Sequence, residues 1–181
     1  MKRLVILDRD GVINLDSAKF IKNPAEWKPI PGSLDAIARL NQAGFNVVVA
    51  TNQSGVARRL FDMATLNSIN DKMLEMVFQA GGRIDAVFYC PHAAEQECAC
   101  RKPNSGLFLE IAQRYNVSLG GVPAVGDSLR DLQAAEAVGA QPMLVLTGKG
   151  EKTQKENELP EGTLVFADLT EAVKYIIADA P

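Results

Sequence analysis

Three aspartates are placed so that they could share one metal ion. Asp8 and Asp10 stand one residue apart directly after the apolar run 4–7, and Asp127 closely follows another apolar run, 122–125. Two crowded carboxylates are costly unless a cation or a proton lies between them. A set of oxygen ligands with few protein groups suits Mg²⁺, which keeps several waters. The alternative on the first pair alone is an Asp-rich turn that caps the next element.

Two further residues suit a phosphate ester. Thr51 follows the predicted buried strand 45–50, and the helix predicted after it would present unpaired backbone amides to an anion. Lys102, between Arg101 and Pro103, could balance the charge of a transferring phosphoryl group. Each residue taken alone is more often structural or neutral. The prediction therefore depends on the groups meeting at one place.

All three cysteines and the one histidine of the chain lie within a single short segment, with the spacing C-x-H-x5-C-x-C. In a cytosolic protein, thiolates and an imidazole grouped in this way favour zinc over disulfides. The four predicted ligands of a structural zinc ion are Cys90, His92, Cys98 and Cys100. The last ligand adjoins Arg101 and Lys102, so a metal there would fix two cations beside the phosphate. The alternative is reduced, buried cysteines with an incidental histidine.

Composition and charge restrict the possible partners. The chain has 181 residues, 47% of them apolar, which suits one domain over residues 1–181. The formal net charge is -3 and the basic residues are spread along the chain, so we expect no nucleic acid and no membrane as partner. The apolar run 4–7 is too short for a signal peptide or a membrane span. We therefore expect a cytoplasmic protein, acting as a monomer on a small molecule.

Strand-like and helix-like segments alternate along the chain. The predicted strands are 4–7, 45–50, 86–89, 122–125, 143–146 and 164–166. Predicted helices lie at 33–44, 66–81, 107–115, 129–138 and 169–177, the first capped by Ser33, and the polar stretch 148–162 is predicted as a surface loop. This order predicts a doubly wound, Rossmann-like α/β fold with a mostly parallel sheet. In such sheets ligands bind beyond the carboxyl ends of the strands, where the acids and Thr51 would meet.

Four motifs in this order resemble those of the haloacid dehalogenase superfamily of phosphatases. They are DRDGV from Asp8, TNQSG from Thr51, RKP around Lys102 and GDSLRD around Asp127. The resemblance implies that Asp8 is the nucleophile that forms an aspartyl phosphate. It implies that Asp10 protonates the leaving oxygen and then activates water, and that Thr51 and Lys102 hold the phosphoryl oxygens.

The same resemblance implies the metal ligands. Asp8, the backbone carbonyl of Asp10, and Asp127 would bind magnesium, and Asp131 would add a contact through water. Asp8 beside the metal should be ionised at neutral pH. Asp10 has a side chain that points away from the ion, so we expect it to be able to carry a proton.

The cysteine-rich segment ending in CRKP resembles the subgroup that holds heptose bisphosphate phosphatases and histidinol-phosphate phosphatases. The short gap between His92 and Cys98 is closer to the histidinol-phosphate enzymes. TNQSGVAR from Thr51, and Asn14 with Asp16, are closer to the heptose enzymes. We favour a heptose bisphosphate as the phosphorylated sugar substrate, with histidinol phosphate as the alternative.

The intervals between the motifs leave no room for a lid, so we expect a haloacid dehalogenase fold without a cap domain and an open site walled by loops. Arg101 could hold the phosphate that is not cleaved. Ser128 follows Asp127 where some heptose enzymes carry Lys, and Arg130 could compensate. The predicted substrate contacts are Asp16, Ser17, Ala18, Lys19, Asn52, Gln53, Ser54, Arg101 and Arg130.

A phosphoacceptor signalling domain is a candidate from another class. It is also a doubly wound α/β unit with an acidic cluster, and it receives phosphate without turning over a small molecule. It normally places its acceptor acid on a later strand than its metal-binding acids. Here the paired acids follow the first strand and a cysteine-rich segment intervenes, so this alternative has only fold-level analogy in its favour.

Overall fold

A sheet of six parallel strands runs through the centre of the protein in a computed structural model that describes residues 3–156 and 158–180. The strands are β1 (Arg3–Leu7), β2 (Phe45–Asn52), β3 (Ala86–Cys90), β4 (Pro123–Gly126), β5 (Gln141–Val145) and β6 (Leu164–Phe166). Their order is β3-β2-β1-β4-β5-β6, and every neighbouring pair is parallel. The predicted parallel α/β fold is confirmed.

Helices cover both faces of this sheet. They are α1 (Ser33–Gln42), α2 (Met63–Gln79), α3 (Gly106–Tyr115), α4 (Leu129–Glu136), α5 (Gly150–Lys155) and α6 (Leu169–Ala178). Apolar residues of α1, α2 and α6 pack in one core cluster, and those of α3 and α4 pack in a second cluster. The sheet is therefore doubly wound, as the alternation of strands and helices predicts.

The central strand β1 shows why the apolar run at the start of the chain becomes a buried strand. Val5 and Leu7 lie in one core cluster, whereas Leu4 and Ile6 lie in the other. Successive side chains of a strand point to opposite faces, so a continuous apolar run fits a strand that is covered on both sides.

Two local predictions are wrong. The stretch 148–162 contains the helix α5, which is short and polar and has little apolar periodicity to reveal it; only Gly150 and Thr153 of α5 are buried. Ser33 is the first residue of α1 and not its cap, which is Gly32 at φ 82°. The Ser33 hydroxyl instead donates a 2.7 Å hydrogen bond to the Ile13 carbonyl, which ties the start of α1 to the loop after β1.

The two segments that could have carried an inserted domain, 8–32 and 91–105, contain little regular secondary structure. The segment between β1 and α1 holds one 3-10 helix (Pro24–Glu26), and the segment between β3 and α3 holds another (Ala94–Gln96). Within the described ranges no separate cap domain stands over the sheet. None of the described helices is long and apolar enough to cross a membrane.

Candidate active site

Four predicted site residues meet at the carboxyl edge of the sheet. Asp8 directly follows β1, Thr51 lies near the end of β2, and Asp127 directly follows β4. The Asp8 amide donates a 2.9 Å hydrogen bond to the Val125 carbonyl of β4, so these strand ends are adjacent. Lys102, from the segment after β3, reaches the same place.

A pocket of about 310 Å³ opens over these residues. The predicted residues that line it are Asp8, Asp10, Asp16, Ser17, Ala18, Thr51, Asn52, Gln53, Ser54, Arg101, Lys102, Asp127 and Arg130. Lys19 is exposed and lies outside this lining, although the sequence predicts it as a substrate contact. The sequence analysis assigned no substrate contact to five other lining residues, which are Phe20, Ile21, Arg58, Asp131 and Lys149.

Lys102 is buried between two carboxylates. Its ammonium lies 3.0 Å from Asp8 Oδ1 and 2.7 Å from Asp131 Oδ1, and it donates a 2.6 Å hydrogen bond to the Ala50 carbonyl. Burial opposes the charged form, but the ion pairs with Asp131 and Asp8 raise the pKa of Lys102. The side chain is therefore a fixed cation beside the predicted nucleophile.

Asp131 belongs both to a helix cap and to this charge cluster. Its Oδ2 accepts hydrogen bonds from the amide and the hydroxyl of Ser128, at 3.0 and 2.5 Å, at the start of α4. Burial opposes its ionisation, but the ion pair with Lys102 lowers the pKa of Asp131. The sequence analysis gave Asp131 only a contact through water, so its direct contact with Lys102 is an addition from the structure.

Asp8, Asp127 and Asp131 form an acidic cluster whose ligand oxygens lie within 4.8 Å of one another. Burial raises the pKa of Asp8 to about 6 against the attraction of Lys102. Burial, together with Asp8 and Asp131, raises the pKa of Asp127 to about 8. When ionised, these three acids carry more negative charge than one lysine balances, and oxygen donors of this kind fit a divalent cation such as Mg²⁺.

The segment after β5 supports the acidic cluster from one side. The Lys149 amide donates a 2.8 Å hydrogen bond to Asp127 Oδ2, and the Thr153 hydroxyl donates a 2.9 Å bond to the Asp127 carbonyl. Gly11 (φ 86°) and Gly148 (φ 57°) both lie so close to Asp127 that a Cβ on either would overlap its carboxylate. Glycine is needed at both positions because the backbone must approach Asp127 and adopt a positive φ.

Asp10 faces away from the acidic cluster and is bound by four donors. Two come from Arg9, a third from the Asn14 amide at 2.8 Å and a fourth from the Gln53 amide at 2.9 Å. Burial opposes ionisation, but Arg9 and the amide hydrogen bonds lower the pKa of Asp10. These donors favour the carboxylate form of Asp10, so the acid role that the sequence predicts requires the pKa of Asp10 to rise when substrate binds.

Residues of the TNQS segment hold one another in place. Gln53 donates from one amide nitrogen to both Asp10 Oδ2 and Thr51 Oγ1, each at 2.9 Å. Asn52 uses both ends of its amide on the backbone of Lys102, at 3.0 and 3.1 Å. The Thr51 hydroxyl accepts from Gln53, so its own hydrogen can point to an anion.

The rim of the pocket carries charged side chains around an otherwise open mouth. Lys149 pairs with Asp16 at 3.0 Å, and Arg101 donates a 3.2 Å hydrogen bond to the His92 carbonyl. Arg58 lies 3.7 Å from Glu95, in the cysteine-rich segment. These cations surround the pocket at positions beyond Lys102 and could hold a second anionic group of a ligand.

The four predicted zinc ligands lie together between β3 and α3. Cys90 Sγ lies 3.5 Å from both His92 Nδ1 and Cys98 Sγ; Cys100 Sγ lies 3.3 Å from His92 Nδ1 and 3.5 Å from Cys98 Sγ. A tetrahedral zinc ion separates sulfur and nitrogen ligands by about 3.5–3.8 Å, close to these distances. The three thiols form no disulfide. Burial opposes the ionisation of Cys98, but hydrogen bonds with Cys100 and Cys90 lower the pKa of this thiol to about 7. The donor set fits zinc.

Comparisons with known proteins agree with this geometry. A family model described as "HAD-hyrolase-like" matches residues 99–172, and one described as "Polynucleotide kinase 3 phosphatase" matches residues 3–129. The chain is 58% identical to D-glycero-beta-D-manno-heptose-1,7-bisphosphate 7-phosphatase from Bordetella bronchiseptica, over 98% of this chain and 99% of that protein. It is 51% identical to the protein of the same name from Pseudomonas aeruginosa, over 97% and 98%.

A solved structure is equally similar. The crystal structure of D,D-heptose 1.7-bisphosphate phosphatase from B. bronchiseptica, complexed with magnesium and phosphate, has a TM-score of 0.97 at 58% identity. The match covers 98% of this chain and 99% of that one. A parallel, doubly wound sheet with an aspartate pair after its central strand is the architecture of a hydrolase of the haloacid dehalogenase superfamily. The chain belongs to this superfamily, within the family of the D-glycero-beta-D-manno-heptose-1,7-bisphosphate 7-phosphatases.

Sequence reasoning missed three polar residues at or behind the site. Arg9 stands between the paired acids, so its charge was a signal that could have been used. Asn70 is a polar residue at a buried position on the apolar face of α2. Lys149 had no such signal, because it lies in the stretch predicted as a surface loop.

Proposed function

We propose that the protein is a magnesium-dependent phosphatase that removes the 7-phosphate of D-glycero-D-manno-heptose 1,7-bisphosphate through an aspartyl-phosphate intermediate. The observation that carries this proposal is the meeting of Asp8, Asp127 and Lys102 at the floor of one pocket, with Lys102 3.0 Å from Asp8. The substrate is argued from the relatives that are 50–58% identical and carry this activity in their names.

Asp8 performs the first step as nucleophile. A carboxylate oxygen of Asp8 attacks phosphorus while the bond from phosphorus to the sugar oxygen breaks, and Asp10 gives its proton to that oxygen. Lys102 and the Thr51 hydroxyl hold the phosphoryl oxygens as charge moves onto them. Bound at Asp8, the Asp10 carbonyl and Asp127, magnesium would supply positive charge to the transferring group.

Asp10 performs the second step as base. It takes a proton from water as the water oxygen attacks the phosphorus of the aspartyl phosphate, the bond from phosphorus to the Asp8 oxygen breaks, and inorganic phosphate leaves. The cycle returns Asp8 as a carboxylate and Asp10 with a proton. The two acids divide the roles because Asp8 faces the cation site, whereas Asp10 faces Arg9 and Gln53.

The protonation of Asp10 depends on the ligand in the pocket. Arg9 favours the carboxylate in the ligand-free protein. A phosphate ester brings negative charge beside Asp10, and a nearby like charge raises the pKa of a carboxyl group. The acid role of Asp10 therefore belongs to the substrate complex.

The zinc site has a structural role in this proposal. Zinc would tie the segment of Cys98 and Cys100 to the end of β3. This tie would hold the next two residues, Arg101 and Lys102, beside the pocket. Arg101 donates to the carbonyl of the zinc ligand His92, so its guanidinium is fixed at the rim. In this position Arg101 could bind the phosphate that is not cleaved.

The test is phosphate release from heptose 1,7-bisphosphate, from histidinol phosphate and from a 3'-phosphorylated oligonucleotide, each with magnesium and with a chelator. We expect magnesium-dependent turnover of the heptose bisphosphate, with heptose 1-phosphate as the product by phosphorus NMR. Faster turnover of histidinol phosphate or of the oligonucleotide would contradict the assigned substrate. Absence of steady turnover with all three would contradict the assignment as a phosphatase and favour a phosphoacceptor domain.

A further inference from the structure

Arg9 is a fully buried cation that pairs with the carboxylate of Asp10. Its Nε donates a 3.1 Å hydrogen bond to Asp10 Oδ1, and its Nη2 donates a 3.1 Å hydrogen bond to Asp10 Oδ2. A guanidinium is planar and rigid, so binding both oxygens fixes the plane of the carboxylate as well as its charge.

Helix α2 holds the other side of this guanidinium. Arg9 Nη1 donates a 3.1 Å hydrogen bond to Asn70 Oδ1, and Asn70 is only 7% exposed. Arginine has no acceptor, so the amide of Asn70 must present its oxygen. The other buried residues of α2 are all apolar: Leu66, Ile69, Met73 and Val77. A buried amide on such a face is costly unless it is hydrogen bonded, and Arg9 supplies that bond.

Two side-chain amides occupy the remaining positions around the Asp10 carboxylate. Asn14 donates to Oδ1 at 2.8 Å and is fully buried, so Oδ1 is closed off. Gln53 donates to Oδ2 at 2.9 Å and lines the pocket. Oδ2 therefore lies on the pocket side of the carboxylate, where a leaving oxygen would take the place of the Gln53 amide.

We infer that Arg9 is a positioning residue for proton transfer, anchored by Asn70, that holds Asp10 with Oδ2 toward the leaving oxygen. The inference rests on the proposed function only in using Asp10 as acid and base. The proton on Oδ2 moves to the sugar oxygen as the bond from that oxygen to phosphorus breaks, and a water proton later returns to Oδ2. Without the planar pairing, the carboxylate is free to rotate about Cβ–Cγ, and Oδ2 no longer points toward the leaving oxygen.

Arg9→Lys tests the inference because it keeps the charge and removes the planar pairing. A sugar alkoxide needs a proton to leave, whereas the nitrophenolate of p-nitrophenyl phosphate leaves without one. We expect kcat/KM to fall about 10²-fold on a sugar phosphate. On p-nitrophenyl phosphate it should change less than about threefold, since kcat/KM reports only the steps up to the first phosphoryl transfer.

Further variants separate positioning from folding. Arg83→Lys makes the same change at an exposed arginine that pairs with Asp85 outside the pocket, and both substrates should react as with the parent enzyme. Asn70→Ala removes the hydrogen bond that anchors Arg9 and leaves the pair of Arg9 with Asp10 intact. We expect a smaller loss of kcat/KM on the sugar phosphate than with Arg9→Lys, again with little change on p-nitrophenyl phosphate. This variant tests the inference if Arg9→Lys does not fold. Equal losses on the two substrates, or no loss on either, would overturn the inference. Any sugar phosphate that the parent enzyme hydrolyses can be used, so a wrong assignment of the natural substrate gives a different result from a wrong role for Arg9.

Discussion

The ammonium of Lys102 lies 2.7 Å from the carboxylate of Asp131, which also caps helix α4. One acid therefore joins the start of a helix to a cation that lies 3.0 Å from the proposed nucleophile Asp8. Because Lys102 is 2% exposed, its orientation depends on these fixed partners and not on solvent.

Asp131→Asn should reduce both activity and stability. The change keeps the shape of the side chain and removes one of the two charges that balance buried Lys102. We expect kcat/KM for the sugar bisphosphate to fall about tenfold to 10²-fold, and the free energy of unfolding to fall by about 1–3 kcal/mol, measured by urea denaturation.

The matched control for that variant is Asp168→Asn. Asp168 caps α6 by accepting a 3.0 Å hydrogen bond from the Glu171 amide, and it lies outside the pocket. Asp168→Asn should lower the free energy of unfolding by about 1 kcal/mol or less and leave kcat/KM as in the parent enzyme. If the two variants were equally active, the assigned contact between Asp131 and Lys102 would have no catalytic weight.

Asp8→Asn should fold and be inactive, because an amide cannot form the acyl phosphate. Asp10→Asn should keep the nucleophile and lose about 10²–10⁴ in turnover. The measurements are phosphate release and circular dichroism of each purified variant. Turnover by Asp8→Asn near that of the parent enzyme would exclude Asp8 as the nucleophile.

Magnesium should stabilise the protein more at pH 8 than at pH 6. The native pKa values of Asp8 and Asp127, about 6 and about 8, lie above the ordinary value for an aspartate. The metal-free native state therefore holds more protons on these two acids than the unfolded chain, and their contribution to stability falls as the pH rises from about 4 to 8. Magnesium must replace those protons, so it binds more weakly at pH 6.

The measurement for that prediction is the melting temperature with magnesium and with a chelator at each pH. Asp127→Asn is the control, since it removes the acid with the higher of the two pKa values and should reduce the magnesium effect at pH 8. An increment in melting temperature that is the same at pH 6 and pH 8 would show that the cation does not compete with protons at these acids.

Removal of zinc should lower activity by loosening the segment that carries Lys102. We expect about one zinc ion per chain by elemental analysis, and a lower melting temperature and a lower kcat after chelation or in Cys98→Ser. Magnesium has to be restored before the assay so that only zinc differs. Zinc-free protein with unchanged kinetics and melting temperature would show that Asn52 and the two acids hold Lys102 without the metal.

Much of the site was predictable from the sequence alone. Paired aspartates after a buried apolar strand predict an acidic cluster at the edge of a parallel sheet, and strand polarity places Thr51 and Asp127 at that edge. The four predicted zinc ligands lie within eleven consecutive positions, 90–100, so their meeting needed only a local turn. These predictions depend on local periodicity and short spacing, which the sequence carries directly.

Tertiary structure alone decided the contacts between distant polar groups. Arg9 meets Asn70 and Lys102 meets Asp131 because buried charges and amides must find partners among the residues that packing brings near. The same packing pairs Lys149 with Asp16 and gives Asp10 four donors, so that the ligand-free protein favours its carboxylate form. No spacing rule predicts such pairs, since they depend on how the helices and loops are placed around the sheet.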